Sequence, residues 1–455
     1  MEKLKKKPQV SNGERGRCAV SRREFFCGAI AAAGAPHFAS VGGKAAGASL
    51  PSSNDKRPRL IVSAPVLQNA AEQSMGIAFA VSADASGWVE IASSPDMRDA
   101  RRVYSGGLGM MEVNGRIAQI LVRDLRPATR YWYRIGADRI DYKGGYRMRN
   151  LGSEVDGKVH SFATLGAEAS GSFCVINDTH EKSAILERVL SKLAELKPSV
   201  VIWNGDATNT TENWERALRT FITPHPGHPE YAADTPFLFV NGNHDFRGRF
   251  ARHLERVWMF RDPAERSGRF AQLGRNFVQR IGDVALIGLD TGEDKPDTHP
   301  AFAGIFQMDR YRDQQTEWLA EEVEKPAIKT ARFKVAFCHI PLCHPDWRNP
   351  GLPAGDGPIK GRCAAWSRPC GMRWRPLLVK AGVNLVVSGH THRFARYAPF
   401  ADCPWTQIIG GGCNVGPAVK RGFPTVIEGR VEDGRLRIRV HNCADGKIVC
   451  ERALS

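Results

Sequence analysis

Five apolar runs of strand length in this chain each end on a side chain that binds metal ions. In order they are Phe173–His180 (FCVINDTH), Val200–Asp206 (VVIWNGD), Phe237–Asp245 (FLFVNGNHD), Val335–His339 (VAFCH) and Leu385–His392 (LVVSGHTH). In an open α/β sheet the carboxyl ends of the strands open onto one crevice, and ligands collect there. Asp178, His180, Asp206, Asn243, His244, His339, His390 and His392 therefore arrive together at one sheet edge. A chain with this pattern is constrained to a layered α/β fold with a metal site along that edge.

The mixture of side chains specifies the chemistry further. Two metal ions about 3.5–4 Å apart can clamp an in-line phosphoryl displacement, activating a bridging hydroxide and steadying the ester. Such a pair needs one carboxylate between the ions, with imidazole, carboxylate and amide oxygen in the remaining positions. The D-x-H pair Asp178 and His180 fits the first ion, and Asp206 is the natural bridging carboxylate. Gly205 lets the backbone turn tightly beside the ions. Asn243, His339 and His390 suit the second ion, and His392 returns to the first. His244 is left over as a non-ligating imidazole that protonates a leaving alkoxide or binds the substrate phosphate. Its neighbour Asp245 is expected to raise its pKa. The candidate catalytic residues are thus His244 and Asp206.

The rest of the chain divides by pattern. Short apolar or alternating runs recur at Leu60–Val66, Met75–Val81, Gly87–Ser93, Arg116–Val122, Tyr131–Gly136 and Val159–Thr164. Turn-rich breaks separate them, as in an all-β sandwich. Leu125-Arg126-Pro127-Ala128-Thr129-Arg130-Tyr131 resembles the L-x-P-x-T-x-Y corner of fibronectin type III domains, where a Tyr hydroxyl locks the approach to a late strand. From about Ser172 strands alternate with helical candidates at Ser183–Leu196, Asn213–Ile222, Asp309–Val323 and Met372–Ala381. That alternation predicts a layered α/β domain. Strands at Gln407–Ile409, Thr425–Val431 and Leu436–His441 are expected to close its core. Loops Asp294–Phe306 and Pro345–Gly371 are long for connections and are expected to rim the site.

Taken in order, D-x-H, G-D, G-N-H-D, a lone His and G-H-x-H resemble the calcineurin-like metallophosphoesterase superfamily, with all five blocks lying between about Ser172 and Phe394. The resemblance implies a four-layer α/β/β/α sandwich, the ligand roles given above, and hydrolysis of phosphate esters. The preceding β-sandwich and Phe337-Cys338-His339-Ile340-Pro341 look most like the purple acid phosphatase branch, which favours phosphomonoesters. In one place the chain departs from that branch. Where the branch has a Tyr ligand three residues after the G-D aspartate, this chain has Asn209. Two divalent ions (Mn, Fe or Zn) suit the mixed N/O ligand set better than a ferric–phenolate pair. A phosphodiesterase of the same fold and a catalytically idle cell-envelope binding protein are the alternatives. An uncoordinated His244 argues against the idle protein.

The expected domains are a signal segment 1–48, a linker 49–57, a fibronectin III-like sandwich 58–166 and the phosphoesterase domain 170–455. Residues 1–48 carry a basic start, Ser21-Arg22-Arg23-Glu24-Phe25-Phe26, a mildly apolar Ala/Gly stretch and Ala46-Gly47-Ala48. That order matches a twin-arginine export signal, so the expected location is periplasmic or secreted. No run is long enough to span a membrane, and no stable membrane insertion is expected after cleavage. The segment holds nine Lys/Arg against three Glu, which leaves +10 of the +16 net charge to the remainder. A basic surface favours anionic substrates such as phosphate esters. No Lys/Arg run with interleaved aromatics marks a nucleic-acid partner. Nine cysteines lie beyond the leader without a C-x-x-C pair. Cys443 with Cys450, and Cys363 with Cys370, are the expected bridges, while Cys174 and Cys338 are expected as buried core residues.

Overall fold

The computed structural model describes residues 57–260, 268–344, 363–400, 403–414 and 421–455. The export segment 1–48, nearly all of the 49–57 linker and residues 345–362 of the expected rim loop lie outside the described residues.

Ten strands come first: β1 (Val66–Gln68), β2 (Met75–Ala80), β3 (Ala85–Ala92), β4 (Arg101–Tyr104) and β5 (Gly106–Gly107), then β6 (Met110–Met111), β7 (Ile117–Val122), β8 (Arg130–Tyr142), β9 (Met148–Val155) and β10 (His160–Ala163). The α/β segment opens with β11 (Ser172–Ile176), α1 (Ser183–Leu196), β12 (Val200–Asn204), α2 (Trp214–Phe221) and β13 (Phe237–Val240). It continues through β14 (Phe277–Ile281), β15 (Val284–Leu289), α3 (Met308–Glu322), α4 (Pro326–Lys329), β16 (Phe333–Cys338) and α5 (Arg368–Ala381). The last strands are β17 (Leu385–Ser388), β18 (Ala395–Tyr397), β19 (Thr406–Ile409), β20 (Thr425–Glu432), β21 (Arg435–Asn442) and β22 (Ile448–Leu454).

Three of the ligand-bearing strands, β11, β12 and β13, are parallel neighbours at the centre of a nine-stranded sheet ordered β22-β21-β20-β11-β12-β13-β1-β2-β7. The other two, β16 and β17, are parallel neighbours in a six-stranded sheet ordered β14-β15-β16-β17-β19-β18. The facing sides of the two sheets share one core. Phe173, Val175, Val200 and Ile202 meet Leu286, Val335, Phe337 and Val387 there, and Phe173 stacks edge-on against Phe337 at 5.6 Å.

Helices cover the outer faces. In α1 the buried residues Ile185, Leu186, Val189, Leu190 and Leu193 recur at helical spacing, giving one apolar stripe. That stripe packs on Ile176, Val201 and Trp203 of the nine-stranded sheet. The Asn213 side chain accepts the Arg216 N–H and starts α2, as an N-cap does. Trp318 and Leu319 of α3 and Trp374 and Leu378 of α5 cover the outer side of the six-stranded sheet.

The β-rich segment does not end at its own edge. Its strands β1, β2 and β7 belong to the nine-stranded sheet, because Gln68 of β1 pairs in parallel with Phe237 of β13. A second sheet, β10-β8-β3-β4 with β9 on β8, packs against them. In the corner before β8, the Tyr131 hydroxyl accepts the Arg126 N–H at 2.9 Å. Leu60–Val66 forms no continuous strand. Ile61 makes an isolated bridge to Val81, and β1 starts only after Pro65, which has no N–H to give a ladder.

The cysteine pairing differs from expectation. Cys343 and Cys363 form the disulfide, while Cys370 and Cys443 keep their thiols. Cys450 lies opposite Val440 in the β21–β22 ladder, so it is out of register with Cys443. Cys370 turns inward from α5, its thiol 3.5 Å from the Thr291 carbonyl oxygen. Cys174 and Cys338 are fully buried. No helix among the described residues is long and apolar enough to cross a membrane.

Candidate metal centre

Each ligand-type side chain sits on a sharp turn just past its strand. Asp178, His180, Asp206, His390 and His392 all have left-handed backbone, with φ between 48° and 71°. A non-glycine residue there costs of order 1–3 kcal/mol and persists only where its surroundings over-determine it. The surroundings do so here. The Asp178 N–H donates to the Gly205 carbonyl, the His180 N–H to the Asp206 carbonyl, and the His390 N–H to the Asp178 carboxylate at 3.0 Å. Gly205 has φ 85°, and a Cβ there would lie 2.4 Å from the His339 ring. A Cβ on Gly242 would meet the Asp206 carboxylate at 2.2 Å.

The side chains gather into two adjoining groups. Asp178, His180, Asp206 and His392 converge in one, and Asp206, His339 and His390 in the other, so that Asp206 stands in both. Asn243 completes the second, its Oδ1 2.9 Å from His390 Nδ1. His339 Nε2 is 3.2 Å from Asp206 Oδ2, and His392 Nε2 is 3.4 Å from Asp178 Oδ1. The structure thus brings together all seven residues expected as ligands.

The donor atoms fit cations. His339 Nδ1 faces the Asn204 carbonyl at 2.9 Å, which fixes the proton on Nδ1 and leaves the Nε2 lone pair for a metal. That Nε2 is buried with no hydrogen-bond partner, as is His180 Nδ1. His180 Nε2 and His392 Nε2 face each other at 2.9 Å, the spacing of an N–H···N bond in which one ring donates and the other accepts.

Titration behaviour agrees with this. Burial opposes charge on His339, yet the Asp206 and Asp178 carboxylates push it up to about 9. The hydrogen bond to Asp178 and the Cys413 thiol push His392 up to about 10. Burial lowers His180, and burial with the His339 charge lowers His390 to about 4. Burial raises Asp206 and Asp178, but the imidazoles outweigh it and hold both carboxyls below their usual range. The carboxylates thus push His339 and His392 up while burial pushes His180 and His390 down, and a metal ion would compete with protons for these ligand atoms.

His244 stands at the mouth, its ring edge-on to His180 at 4.9 Å. Its Nδ1 lies 3.0 Å from the Asn209 carbonyl oxygen and its Nε2 3.0 Å from the Arg247 guanidinium. Asp245, expected to act on His244, turns the other way. Its carboxylate accepts the N–H groups of Asp206 (2.9 Å), Thr208 (3.1 Å) and Gly242 (2.8 Å), so it shapes the ligand turns. Burial, with the Asp206 charge, pushes its carboxyl up to about 7. Asn209 offers no ring or charge to the site, and its side chain donates to the His180 carbonyl at 3.2 Å.

Four residues near the centre were not singled out for these roles by the sequence. Glu293, with a fully buried side chain, pairs with Arg247 through two bonds of 3.0 and 2.9 Å. Cys413 places its thiol 3.7 Å from His392 Nδ1 and 3.1 Å from Lys182 Nζ. Burial opposes ionisation of that thiol, but His392 and Lys182 bring it below the usual range. Trp366 lies 5.0 Å from the His390 ring and 5.2 Å from that of His344, which puts His344 on the rim. Arg249 is exposed. His225 and His228 lie apart from this centre, beside Glu187. His299 caps a short turn before Pro300.

Residues 171–394 match the family described as calcineurin-like phosphoesterase. No curated protein matches the chain. Among solved structures, purple acid phosphatase PPD1 from yellow lupin seeds is similar over 86% of this chain and 74% of its own, with a TM-score of 0.59 and 14% identity. A structure of PhoD is similar over 88% of this chain and 94% of its own, with a TM-score of 0.53 and 11% identity.

Proposed function

We propose, from the premise that residues 171–394 are a calcineurin-like phosphoesterase domain, that this chain is an exported binuclear phosphoric ester hydrolase of the acid phosphatase type. The observation that carries this reading is the place of Asp206 in both ligand groups, since a shared carboxylate is what a two-ion site requires. Divalent ions (Mn, Fe or Zn), when bound, would supply positive charge to activate water and steady the phosphoryl oxygens. The chain's own residues do the rest. Asp178, His180 and His392 hold one position, Asn243, His339 and His390 the other, and Asp206 both. Arg247 offers N–H groups at the mouth to the ester oxygens, with His244 beside it, an arrangement suited to the dianionic face of a phosphomonoester. His244, released from Arg247 by the incoming phosphate, is placed to take a proton from solvent on Nε2 and pass it to the leaving alkoxide. The same reading takes the two large sheets with their helices as an α/β/β/α sandwich and residues 58–166 as a fibronectin III-like module. It takes residues 1–48 as a twin-arginine signal, cleaved near Ser49.

Hydrolysis of an aryl phosphate with Mn²⁺ tests the proposal. Asp206→Asn is expected to abolish turnover and reduce the metal content. His244→Ala is expected to lower turnover with metal content retained. Full activity in both variants, or none in the unaltered protein with any of the three metals, sinks the reading. Faster turnover of a bis-aryl phosphate would move the substrate to the diester class. For export, Arg22→Lys/Arg23→Lys should leave active, full-length protein in the cytoplasm.

A further inference from the structure

We propose that Glu187, His225 and His228 form a third metal site, separate from the centre above, for a borderline divalent ion such as zinc. The three converge from two elements. Glu187 lies on α1, and the two histidines lie in the turn-rich segment after α2. Their ligand atoms all fall within 4.8 Å of one another.

The spacing is that of a coordination shell. Two ligands about 2.0–2.1 Å from a tetrahedral zinc stand about 3.3 Å apart. Glu187 Oε2 is 3.1 Å from His225 Nδ1 and 3.4 Å from His228 Nε2. The Gly227 N–H also points at His225 Nδ1, at 3.1 Å, a contact that an ion on that single lone pair would displace. At 3.1 Å the Glu187 oxygen and the His225 nitrogen need a proton or a cation between them, and here a second imidazole converges on the same oxygen.

The surroundings support the arrangement. Ser183, Glu187 and Ser191 recur every fourth residue of α1 and so share one face. Ser183 Oγ lies 2.9 Å from His225 Nε2, leaving that ring's Nδ1 for the ion, in the way outer partners orient metal-bound imidazoles. Ser191 Oγ lies 3.3 Å from His228 Nε2 and, with water, is at hand for the remaining coordination position. The neighbouring Arg188 points away, to the carbonyls of Cys443 and Ala444. Two imidazoles and one carboxylate suit zinc better than magnesium or calcium.

Such an ion would tie α1 to the 222–236 segment. That segment in turn holds the β-rich part, because the Ala232 carbonyl accepts the Leu67 N–H and the Ala233 carbonyl accepts the Tyr133 hydroxyl at 2.6 Å. The ion is therefore structural, and the test does not depend on catalysis.

Zinc bound per chain, measured by equilibrium dialysis at buffered free zinc, decides the matter. The unaltered protein is expected to bind one ion more than His225→Ala/His228→Ala. Equal counts overturn the proposal. Should the double variant fail to fold, Glu187→Gln, which keeps both imidazoles, is expected to weaken the additional zinc more than about tenfold. Unchanged zinc affinity in Glu187→Gln overturns it equally.

Discussion

The carboxylate of Asp245 receives the backbone N–H of Asp206 at 2.9 Å, so one buried acid fixes where the other stands. It takes two more amides, from Thr208 and Gly242, and has no exposed surface. Asp245→Ala strands three buried donors, each worth about 1–3 kcal/mol when left unmade. A loss of at least about 3 kcal/mol in urea unfolding is expected, together with loss of metal. An unchanged unfolding midpoint would show that the ligand turns hold themselves.

Arg247 and Glu293 separate binding from stability. Arg247 donates to Glu293 through two bonds and lies 3.0 Å from His244. If Arg247 binds the substrate phosphate as proposed, Arg247→Ala removes a charge-assisted contact worth about 1.5 kcal/mol, or roughly tenfold in kcat/KM. It also strands the buried Glu293 carboxylate and lowers stability. In Arg247→Ala/Glu293→Gln the stability is expected to return while kcat/KM stays low. Recovery of both would make the pair purely structural.

Asp290 gives a pH signature. Burial pushes its carboxyl from 3.8 up to about 6, so the folded state holds a proton that the unfolded state has released. Its stabilising contribution is complete below about pH 4 and is lost as pH rises through 6, a swing of about 3 kcal/mol. Against Asp290→Asn, the unaltered protein should therefore lose about that much relative stability between pH 4 and 7. Parallel urea midpoints across that range would refute the shift.

The Cys343–Cys363 bridge closes a loop with a sequence separation of 20. Cross-linking a loop of that size restricts the unfolded chain by about 3 kcal/mol. Replacing both cysteines by Ala should lower stability by up to that amount, and added reductant should change nothing further in the variant. Identical thermal unfolding of the unaltered protein with and without reductant would mean the bridge carries no stability.

The convergence of the seven candidate ligands was legible because each rests on a local pattern, an apolar strand ended by Asp, Asn or His. Cys413 follows the same grammar. Thr406–Ile409 runs into Gly410-Gly411-Gly412-Cys413, and a thiol at a strand end was as strong a signal as an imidazole. The partner of Arg247 was not legible, since Glu293 is 46 residues away and meets it only through the fold. β4 and β9 escaped because their residues are largely exposed, so neither shows the apolar alternation that marks a strand. Cysteine pairing failed on register and direction, which sequence proximity does not encode. The parallel pairing of β1 with β13, 169 residues apart at Gln68 and Phe237, has no local signature at all.

That pairing bears on how the protein can be divided. A fragment begun near residue 170 would keep all seven candidate metal ligands, yet it would leave β13 without its β1 neighbour at Phe237. Unpaired backbone groups beside Phe237 form a template for strand addition by other copies. The isolated phosphoesterase segment should therefore self-associate even where its chemistry survives. What reads as an accessory module in the sequence is, in the fold, the cover of the central sheet.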